Sequence, residues 1–450
     1  MQSIHEPARD VPVIAEADVV VCDGGPGGFP AAIAAARHGA DTLLIERHGY
    51  RGGLATAGLV APILGHTASE SHTPIVEGVL REIVDRLHAL DAAPTWDDAL
   101  LEWGIRFDAE ALKYVLDQMC AEAGVQVLYH TGISNVVCNG GSIQAVIIEN
   151  KSGRQAVVGE VFVDATGDAD VAFRAGAPTT HGRAWDHRPE SMGSFFHLGG
   201  VPELTEERAR EITKLIEHEM EDGRFAFYNP SFLGKNTYHR DHTAANMTRF
   251  AGDGDSGADM SKGEAFVRAN VWELVRFLRA NVPELANIYV QQTSPQVGPR
   301  ESRQIVGPYA LTGDDVHRGA KFTDAVARGS WWIDIHCPLG NTWPVHLCTV
   351  ECPQGAKCPY WAAEHEHMRS KDELYPPKGD WYDIPYRSLL SVEVGNLLAS
   401  GRCISATHEG MAGARVMGTC IAIGQAAGTA AAMAVRQSVP LAELDVQALR

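Results

Sequence analysis

The first part of the chain alternates apolar runs with small residues in an order typical of α/β units. Residues 19–47, VVVCDGGPGGFPAAIAAARHGADTLLIER, begin with an apolar run, pass through a glycine-rich turn and an alanine-rich stretch, and end in a second apolar run. Short apolar runs bounded by glycines are typical of buried strands, and a longer alanine-rich stretch is typical of a helix. The pattern predicts a strand, a turn, a helix and a second strand.

The chain up to residue 168 carries further patterns of both kinds. Residues 74–90 place apolar side chains at helical spacing, which predicts a helix. Asp108 is a good N-cap and Gly124 a good stop, so a second helix is predicted between them. Residues 125–150 alternate apolar and polar positions around a Gly-Gly pair, which predicts short strands and a hairpin. Residues 156–168, AVVGEVFVDATGD, predict a buried strand that ends in a glycine turn.

The character of the sequence changes near residue 186. Tryptophan, histidine, proline and polar loops increase there, and amphipathic helices are predicted near 204–222 and 263–281. From YDIPYRSLL onward the α/β pattern returns, and it closes with a small-residue helix that can pack tightly on a sheet. The predicted units are a discontinuous α/β domain (1–62, 105–185 and 385–450), a helical connection (63–104) and an inserted α+β substrate or cap domain (186–384).

Composition and charge exclude several classes of protein. A hydrophobic content of 45% can fill sizeable cores, whereas a formal net charge of −19 would repel nucleic-acid phosphates. Nine scattered cysteines do not resemble a disulfide framework. The first residues lack the basic and apolar regions of a signal peptide, and no apolar run approaches the ~20 residues that span a bilayer. We expect a cytoplasmic protein with no nucleic-acid partner and no membrane span.

The glycine turn after the first strand matches a dinucleotide-binding motif in part. Gly25 and Gly28 occupy the second and third glycine positions of G-x-G-x-x-G, where they allow close approach of the backbone to a pyrophosphate. Glu46 ends the next strand, about where a carboxylate accepts the ribose hydroxyls. Asp23 stands where the first glycine is expected. A glycine-rich turn that binds nothing is the alternative at this point.

Other segments carry a resemblance to one family. VFVDATGDAD resembles the second strand and turn of FAD-binding proteins, and LLASGRCISATHEG with ARVMGTCIAIGQAAGTAA resembles their carboxy-terminal flavin-closing segment. With ERHGYRGGLATAG and GPRESRQIVG, these make the chain resemble the FAD-dependent oxidoreductase family of glutathione-reductase-like flavoproteins. The resemblance implies FAD as cofactor. It also implies an α/β fold, with a Rossmann-like, glutathione-reductase-like FAD-binding domain and an inserted α+β substrate or cap domain.

The resemblance also implies which positions contact the cofactor. The first turn and the helix after it would hold the pyrophosphate, and the last helix would place its N-terminus near the isoalloxazine. The positions are Gly25, Gly27 and Gly28 at the first turn, Glu46 and Arg47 at the adenosine ribose, Gly52, Gly53 and Thr56 along the pyrophosphate and ribityl chain, Ala165, Gly167 and Asp168 at the second turn, and Arg415, Val416, Met417 and Thr419 near the flavin ring, with Arg402 and Ser405 as further candidates.

Two residues depart from the family pattern near the phosphates. Asp23 replaces a glycine, and Arg51 stands where such loops usually carry an apolar residue. Aspartate tolerates unusual turn dihedrals, so the turn is expected to form. A carboxylate ~5 Å from a phosphate charge at an effective dielectric constant of ~20 costs about 3 kcal/mol, which would weaken FAD binding without abolishing it. Arg51 would offset part of this cost if its side chain reached the same region.

His336, His408 and Arg300 are the candidate catalytic residues. His336 follows an apolar stretch that the family brings toward the flavin, where it would act as a base or bind substrate; a structural hydrogen bond is the alternative. His408, in the closing segment, would face the reactive side of the flavin. Arg300 and Arg303 flank Glu301, and either fix an anionic group of the substrate or form an ion-pair network between domains.

The remaining cysteines and histidines give no metal-site pattern. A C-x3-C-x5-C spacing matches neither zinc nor iron–sulfur sites, so a surface loop with free thiols and no metal is predicted. The histidines of the HRDH segment are assigned to a loop of the second domain. The residues concerned are Cys348, Cys352 and Cys358 with His346, His365 and His367 nearby, and His239 with His242.

These features predict a dehydrogenase or oxidase that uses FAD to take a hydride from a small organic substrate at the domain interface. No second G-x-G-x-x-G appears downstream, so oxygen, a quinone or a carrier protein is the expected electron acceptor. Two alternatives stay open: an NAD-dependent Rossmann dehydrogenase, and a non-catalytic scaffold of the same fold that has lost its flavin through Asp23. A homo-oligomer is compatible with the sequence.

Overall fold

The protein is described by a computed structural model that covers residues 3–232, 238, 242–340, 348–352, 354–358 and 368–450. The strands in these ranges are β1 (Val13–Cys22), β2 (Thr42–Ile45), β3 (Gln126–Leu128), β4 (Gly132–Asn139), β5 (Ser142–Asn150), β6 (Gly153–Asp164), β7 (Thr179–His181), β8 (Phe196–Gly199), β9 (His242–Ala245), β10 (Tyr289–Thr293), β11 (Arg303–Ile305), β12 (Ala325–Gly329), β13 (Tyr382–Pro385) and β14 (Leu397–Ala399).

The helices of the same ranges differ widely in length, from single turns to a helix of 25 residues. They are α1 (Phe29–Arg37), α2 (Val79–His88), α3 (Trp96–Leu100), α4 (Ala109–Ala123), α5 (Asp170–Arg174), α6 (Glu206–Glu221), α7 (Gly257–Asn281), α8 (Gly313–Arg318), α9 (His408–Ala414), α10 (Met417–Gln437) and α11 (Val446–Leu449).

A seven-stranded sheet organises the first part of the fold. Its order is β3-β2-β1-β6-β5-β4, and β14 pairs with the end of β6. The pairs among β1, β2, β3, β6 and β14 are parallel, whereas β4 and β5 form an antiparallel hairpin that continues into β6. This arrangement brings the carboxyl ends of β1, β6 and β14 to one edge, where ligands bind in open α/β sheets. The predicted α/β class is confirmed, and the glutathione-reductase-like subtype stays a prediction.

Small residues let the last long helix pack directly on the first helix. A Cβ added to Gly424 would lie 2.4 Å from the carbonyl oxygen of Gly27, and one added to Gly428 would lie 2.0 Å from that of Ala31. Neither contact leaves room for a side chain, so both glycines in α10 are required for this close packing.

The helix α10 is also long and apolar enough to cross a membrane, but 72% of its apolar window is buried inside the protein, as in the core helix of a soluble fold.

The buried apolar residues form two main cores. The second core includes buried residues from Met192 to Val297, with β8, β9 and β10 in one antiparallel sheet beside α6 and α7. Buried residues between Ile305 and Ile384 instead belong to the core of the large sheet. The inserted region therefore has an independent core over a shorter stretch than the predicted 186–384, because its later residues pack back on the first domain.

Most of the predicted helices and strands form, and two of the helices begin at residues other than those predicted. The helix after Asp108 begins and ends as predicted, since the Asp108 carboxylate accepts the Glu110 and Ala111 amides and Gly124 adopts a left-handed conformation. The helix predicted over 74–90 begins only at Val79, because the backbone before it is extended and hydrogen-bonds to His66. The helix predicted from 263 begins at Gly257.

Candidate functional site

The first glycine turn forms in spite of the aspartate at its start. Asp23 has φ +83°, a conformation that glycine favours, and its carboxylate accepts the N–H of Gly24 at 2.8 Å. A Cβ added to Gly28 would lie 1.9 Å from the carbonyl oxygen of Asp23, so only glycine fits there. A Cβ on Gly25 would approach no atom closer than 3.8 Å, because this residue faces an open cleft.

The cleft lies where six stretches of the chain meet, with about 660 Å³ of empty space that includes its solvent-open mouth. Its wall is close-packed, since a Cβ on Gly27 would lie 2.8 Å from the N atom of Gly401. The predicted cofactor residues that line the cleft are Gly25, Gly27, Arg47, Gly53, Ala165, Gly167, Arg415 and Met417, with Arg402 among the further candidates. Lining residues that the sequence did not indicate are Pro26, His48, Leu54, Thr166, Gln296, Ser400, Gly401 and Cys420.

The other predicted cofactor residues do not line the cleft. Thr56 donates its hydroxyl to the carbonyl oxygen of Arg51 at 2.8 Å, which holds the loop after β2. Asp168 accepts hydrogen bonds from Ser302 and Arg402, so it supports the second turn. The residues outside the lining are Gly28, Glu46, Gly52, Thr56, Asp168, Val416 and Thr419, and Ser405 among the further candidates. Their predicted contacts with the cofactor stay predictions.

Glu46 is a buried carboxyl at the end of β2. Its two oxygens accept the backbone N–H groups of Gly24 at 2.9 Å and His48 at 2.7 Å. Burial, together with the charge of Asp23 and a hydrogen bond to that side chain, raises the pKa of Glu46 to about 9. The adjacent carboxyl groups of Glu46 and Asp23 therefore disfavour carrying two negative charges at the same turn.

Arg47, and not Arg51, lies against Asp23. The Nε atom of Arg47 is 3.5 Å from Oδ2 of Asp23. Arg51 is buried and pairs with Asp117, and its guanidinium lies over the ring of Tyr129. The condition under which Arg51 would offset the charge of Asp23 is therefore not met, because its guanidinium pairs with the Asp117 carboxylate on α4. Arg47 lies against Asp23 instead.

A buried histidine–glutamate pair lies between the two cores. Nδ1 of His408 donates to Oε2 of Glu301 at 2.6 Å, and Nε2 of His408 is buried with no hydrogen-bond partner in the part of the chain that the structure describes. The same Glu301 oxygen accepts the N–H of Glu190 at 3.1 Å. Burial alone would lower the pKa of His408, but the charge and hydrogen bond of Glu301 outweigh it and raise the pKa.

Arg415 connects this pair to the cleft. Arg415 lines the cleft and donates to both oxygens of Glu190, at 3.0 and 3.2 Å. It also donates to the carbonyl oxygen of Asp334 at 2.7 Å and lies 3.4 Å from the Asp334 carboxylate. Glu190 and Asp334 carry no sequence motif, and no local signal could have singled them out.

His336 joins the same cluster. Its Nε2 lies 3.5 Å from Asp334 and its backbone N–H donates to Glu190 at 2.9 Å. Its ring packs edge-on against Tyr228, with centroids 5.2 Å apart. Burial and the nearby charge of Arg300 lower the pKa of His336 well below its ordinary value, so the ring is neutral at pH 7. The three candidate catalytic residues are therefore brought together.

The remaining chemical candidates lie apart. Cys352 is buried, so the predicted surface position is wrong for this thiol, whereas Cys348 and Cys358 are half-buried and their surface position stays a prediction. His242 begins β9 instead of lying in a loop. His181, Asp253 and Asp255 bring ligand atoms within 4.8 Å of one another, but Arg303 already pairs with Asp255 there. Outside the described residues fall His239, His346, His365 and His367.

Comparison with known proteins agrees with this geometry. A family model described as FAD dependent oxidoreductase matches residues 18–450. The chain belongs to this family. FAD is accordingly its cofactor and the protein is a flavoenzyme. No curated protein sequence matches the chain.

Solved structures similar to this FAD-dependent oxidoreductase cover nearly its whole length. A geranylgeranyl bacteriochlorophyll reductase-like protein from Thermoplasma acidophilum is 14% identical, with coverage of 94% of this chain and 80% of that one and a TM-score of 0.43. The flavin-dependent brominase Bmp2 is 12% identical, with coverage of 97% and 82% and a TM-score of 0.43. A flavocytochrome c3 fumarate reductase is 12% identical, with coverage of 94% and 79% and a TM-score of 0.39. Similarity at this level gives no information on the substrate.

The residues of the cleft fit the cofactor of the family. The turn between β1 and α1 presents glycines beside the positive end of a helix, the arrangement that binds a pyrophosphate. Nη1 of Arg402, which lines the cleft, is buried and has no hydrogen-bond partner among the described residues, so it can bond a ligand; Oγ1 of Thr419, outside the lining, is likewise buried without a partner there. Both atoms belong to segments that the resemblance assigned to FAD.

Proposed function

We propose that this FAD-dependent oxidoreductase takes a hydride from a small organic substrate held between its two cores. The observation that carries the proposal is the position of Arg415, which lines the cofactor cleft and bonds Glu190 of the buried cluster. His336, His408 and Arg300 surround that cluster. A substrate bound among them would therefore lie beside the inner end of the cleft.

The cofactor would be held by residues from each wall of the cleft. Gly25 and Gly27 would face the pyrophosphate, Arg402 would donate to it or to the ribityl chain, and the N-terminus of α10 would lie near the flavin ring. Bound there, FAD supplies an acceptor for the hydride of the substrate.

His408 is the proposed proton acceptor. Glu301 holds Nδ1 in its protonated form, so the lone pair of Nε2 is directed away from the carboxylate and available for a substrate proton. The raised pKa of His408 gives it the proton affinity that a base requires. Glu301 is a positioning residue, since it acts through the histidine.

The test is anaerobic reduction of the bound flavin. We expect purified protein to hold FAD, and alcohols, amines or acids from a screen to bleach the visible flavin band. His408→Asn should slow bleaching by about 10²–10⁴-fold and leave the flavin content unchanged. His72→Asn, at an exposed histidine that bonds the Leu100 carbonyl, is the matched control and should behave as wild type.

Other outcomes decide against the proposal. Protein that stays colourless in excess FAD would favour the alternative of a flavin-depleted scaffold. Flavin that is bound but reduced equally fast in the His408→Asn protein would remove the assigned role of His408.

A further inference from the structure

Glu301 and Ser302 are neighbours in sequence, but their side chains contact different parts of the site. The Glu301 carboxylate pairs with His408. Ser302 is completely buried and donates its hydroxyl to Oδ1 of Asp168 at 2.5 Å. The short segment that leads into β11 therefore contacts both the histidine–glutamate pair and the second turn, which follows β6.

Arg303, the next residue, contacts the same turn. Its Nε donates to the carbonyl oxygen of Asp168 at 2.9 Å and its Nη2 to the carboxylate of Asp170 at 2.7 Å. Its Nη1 lies 3.4 Å from the carboxylate of Asp255. The ion-pair network that the sequence allowed for Arg300 and Arg303 is thus formed by Arg303. Together with Ser302, it fixes the second turn to the inserted part of the chain.

The backbone N–H groups of the second turn are already bonded within the protein. Sγ of Cys403 accepts the N–H groups of Gly167 at 3.1 Å and Ala169 at 3.4 Å. The carboxylate of Asp164 accepts the N–H of Thr166 at 3.2 Å. These three groups are not available to a ligand, which leaves side chains as the main donors on this wall of the cleft.

Arg402 is the side chain placed to act as such a donor. It lines the cleft, and a Cβ on Gly167 would lie 2.5 Å from its Nη2, so the guanidinium lies directly against the turn. Nη2 donates to Oδ1 of Asp168 at 3.2 Å, whereas Nη1 is buried with no hydrogen-bond partner within the described ranges. The preceding residue, Gly401, packs against Gly27 of the first turn. One end of the guanidinium is thus held by a carboxylate, and the other can bind an anionic group beside the first turn.

We propose that Ser302 is a positioning residue for FAD binding, because it fixes the Asp168 carboxylate that orients Arg402 toward the phosphates of the cofactor. The same oxygen of Asp168 accepts both Ser302 and Arg402, so the serine hydroxyl helps to set the position of the atom that holds the guanidinium. An arginine held in place before the ligand binds loses less conformational freedom on binding, which favours affinity. Ser302 itself does not line the cleft. The inference rests on the proposed placement of FAD in the cleft and does not depend on hydride transfer.

Cofactor binding to the apoprotein tests the proposal. Fluorescence titration with FAD is combined with competition by ADP, which carries the two phosphates without the flavin and the ribityl chain. Ser302→Ala should weaken the binding of both ligands by about three- to tenfold, and Arg402→Gln by about 10- to 100-fold. Ser388→Ala is the matched control and should change binding less than about twofold, because Ser388 is also completely buried but its hydroxyl has no partner among the residues that the structure describes.

Two results of these titrations contradict the proposal. FAD binding to Ser302→Ala that equals binding to wild type would remove the assigned role of the serine. ADP that does not bind, or that binds equally to wild type and Arg402→Gln, would overturn the assignment of Arg402 to the phosphates.

A double-mutant cycle separates positioning from a purely structural role. In the Arg402→Gln background, Ser302→Ala should change FAD binding less than about twofold, because the guanidinium that the serine helps to orient is absent. A general loosening of the turn would weaken binding equally in both backgrounds, and that result overturns the proposal. If Ser302→Ala does not fold, Asp168→Asn replaces it in the cycle, since a neutral amide holds the guanidinium less firmly.

None of these measurements uses substrate oxidation. FAD binding that depends on Ser302 in a protein whose flavin no substrate reduces would therefore keep this inference and reject hydride transfer.

Discussion

The cofactor turn and the buried cluster obtain their chemistry in different ways. The turn is built from consecutive residues whose backbone is shaped by glycine, with Gly25 facing the cleft and Gly28 packed against Asp23. The cluster is built from side chains that lie far apart in sequence, such as His408 and Glu301 or Arg415 and Glu190. Substitutions at the turn should therefore act on backbone packing and phosphate binding, whereas substitutions in the cluster should act on protonation and charge.

The largest effect is expected where the turn has no space. Gly28→Ala should destabilise the protein by about 3 kcal/mol or more, because its Cβ would lie 1.9 Å from a backbone oxygen that cannot move freely. Chemical denaturation measures the change. Gly257→Ala is the control, since its Cβ would meet nothing within 4 Å, and it should change stability by less than about 0.5 kcal/mol. A Gly28→Ala protein as stable as wild type would mean that the turn is loosely packed.

This contrast also explains what the sequence could predict. The glycine turn, the capped helix after Asp108 and the terminal helix were predictable because each depends on neighbouring residues. The pairing of His408 with Glu301 spans 107 positions, so proximity follows only from the fold. Local pattern likewise could not show that Arg51 turns toward Asp117, since that carboxylate comes from α4.

A second effect should appear in the protonation of the cluster. Glu301→Gln should lower the pKa of His408, because the carboxylate that raises it is replaced by a neutral amide. The NMR titration of labelled histidines measures this without a substrate. A catalytic step that needs neutral His408 should also reach its full rate at a lower pH in the variant, because the histidine loses its proton at a lower pH there.

The same pair should affect stability with a defined sign. The folded pKa of His408 is raised above the unfolded value, so the pair stabilises the protein below about pH 6.5 and this contribution is lost as pH rises through the folded pKa. Glu301→Gln should flatten that pH dependence. A variant that is uniformly less stable with an unchanged His408 titration would indicate a purely structural role for Glu301.

The smallest effect is expected at the aspartate of the turn. Asp23→Gly should tighten FAD binding by only about three- to tenfold, less than the repulsion of an unscreened carboxylate would give, because Arg47 lies 3.5 Å from Asp23 and offsets part of its charge. Fluorescence titration of the apoprotein with FAD at fixed ionic strength measures the change. Arg47→Gln should weaken binding more in the wild-type background than in the Asp23→Gly background, since the carboxylate it screens is present only in the former. If the effects of the two substitutions on FAD binding are additive, the two side chains act independently on the phosphates, and Arg47 does not screen the charge of Asp23.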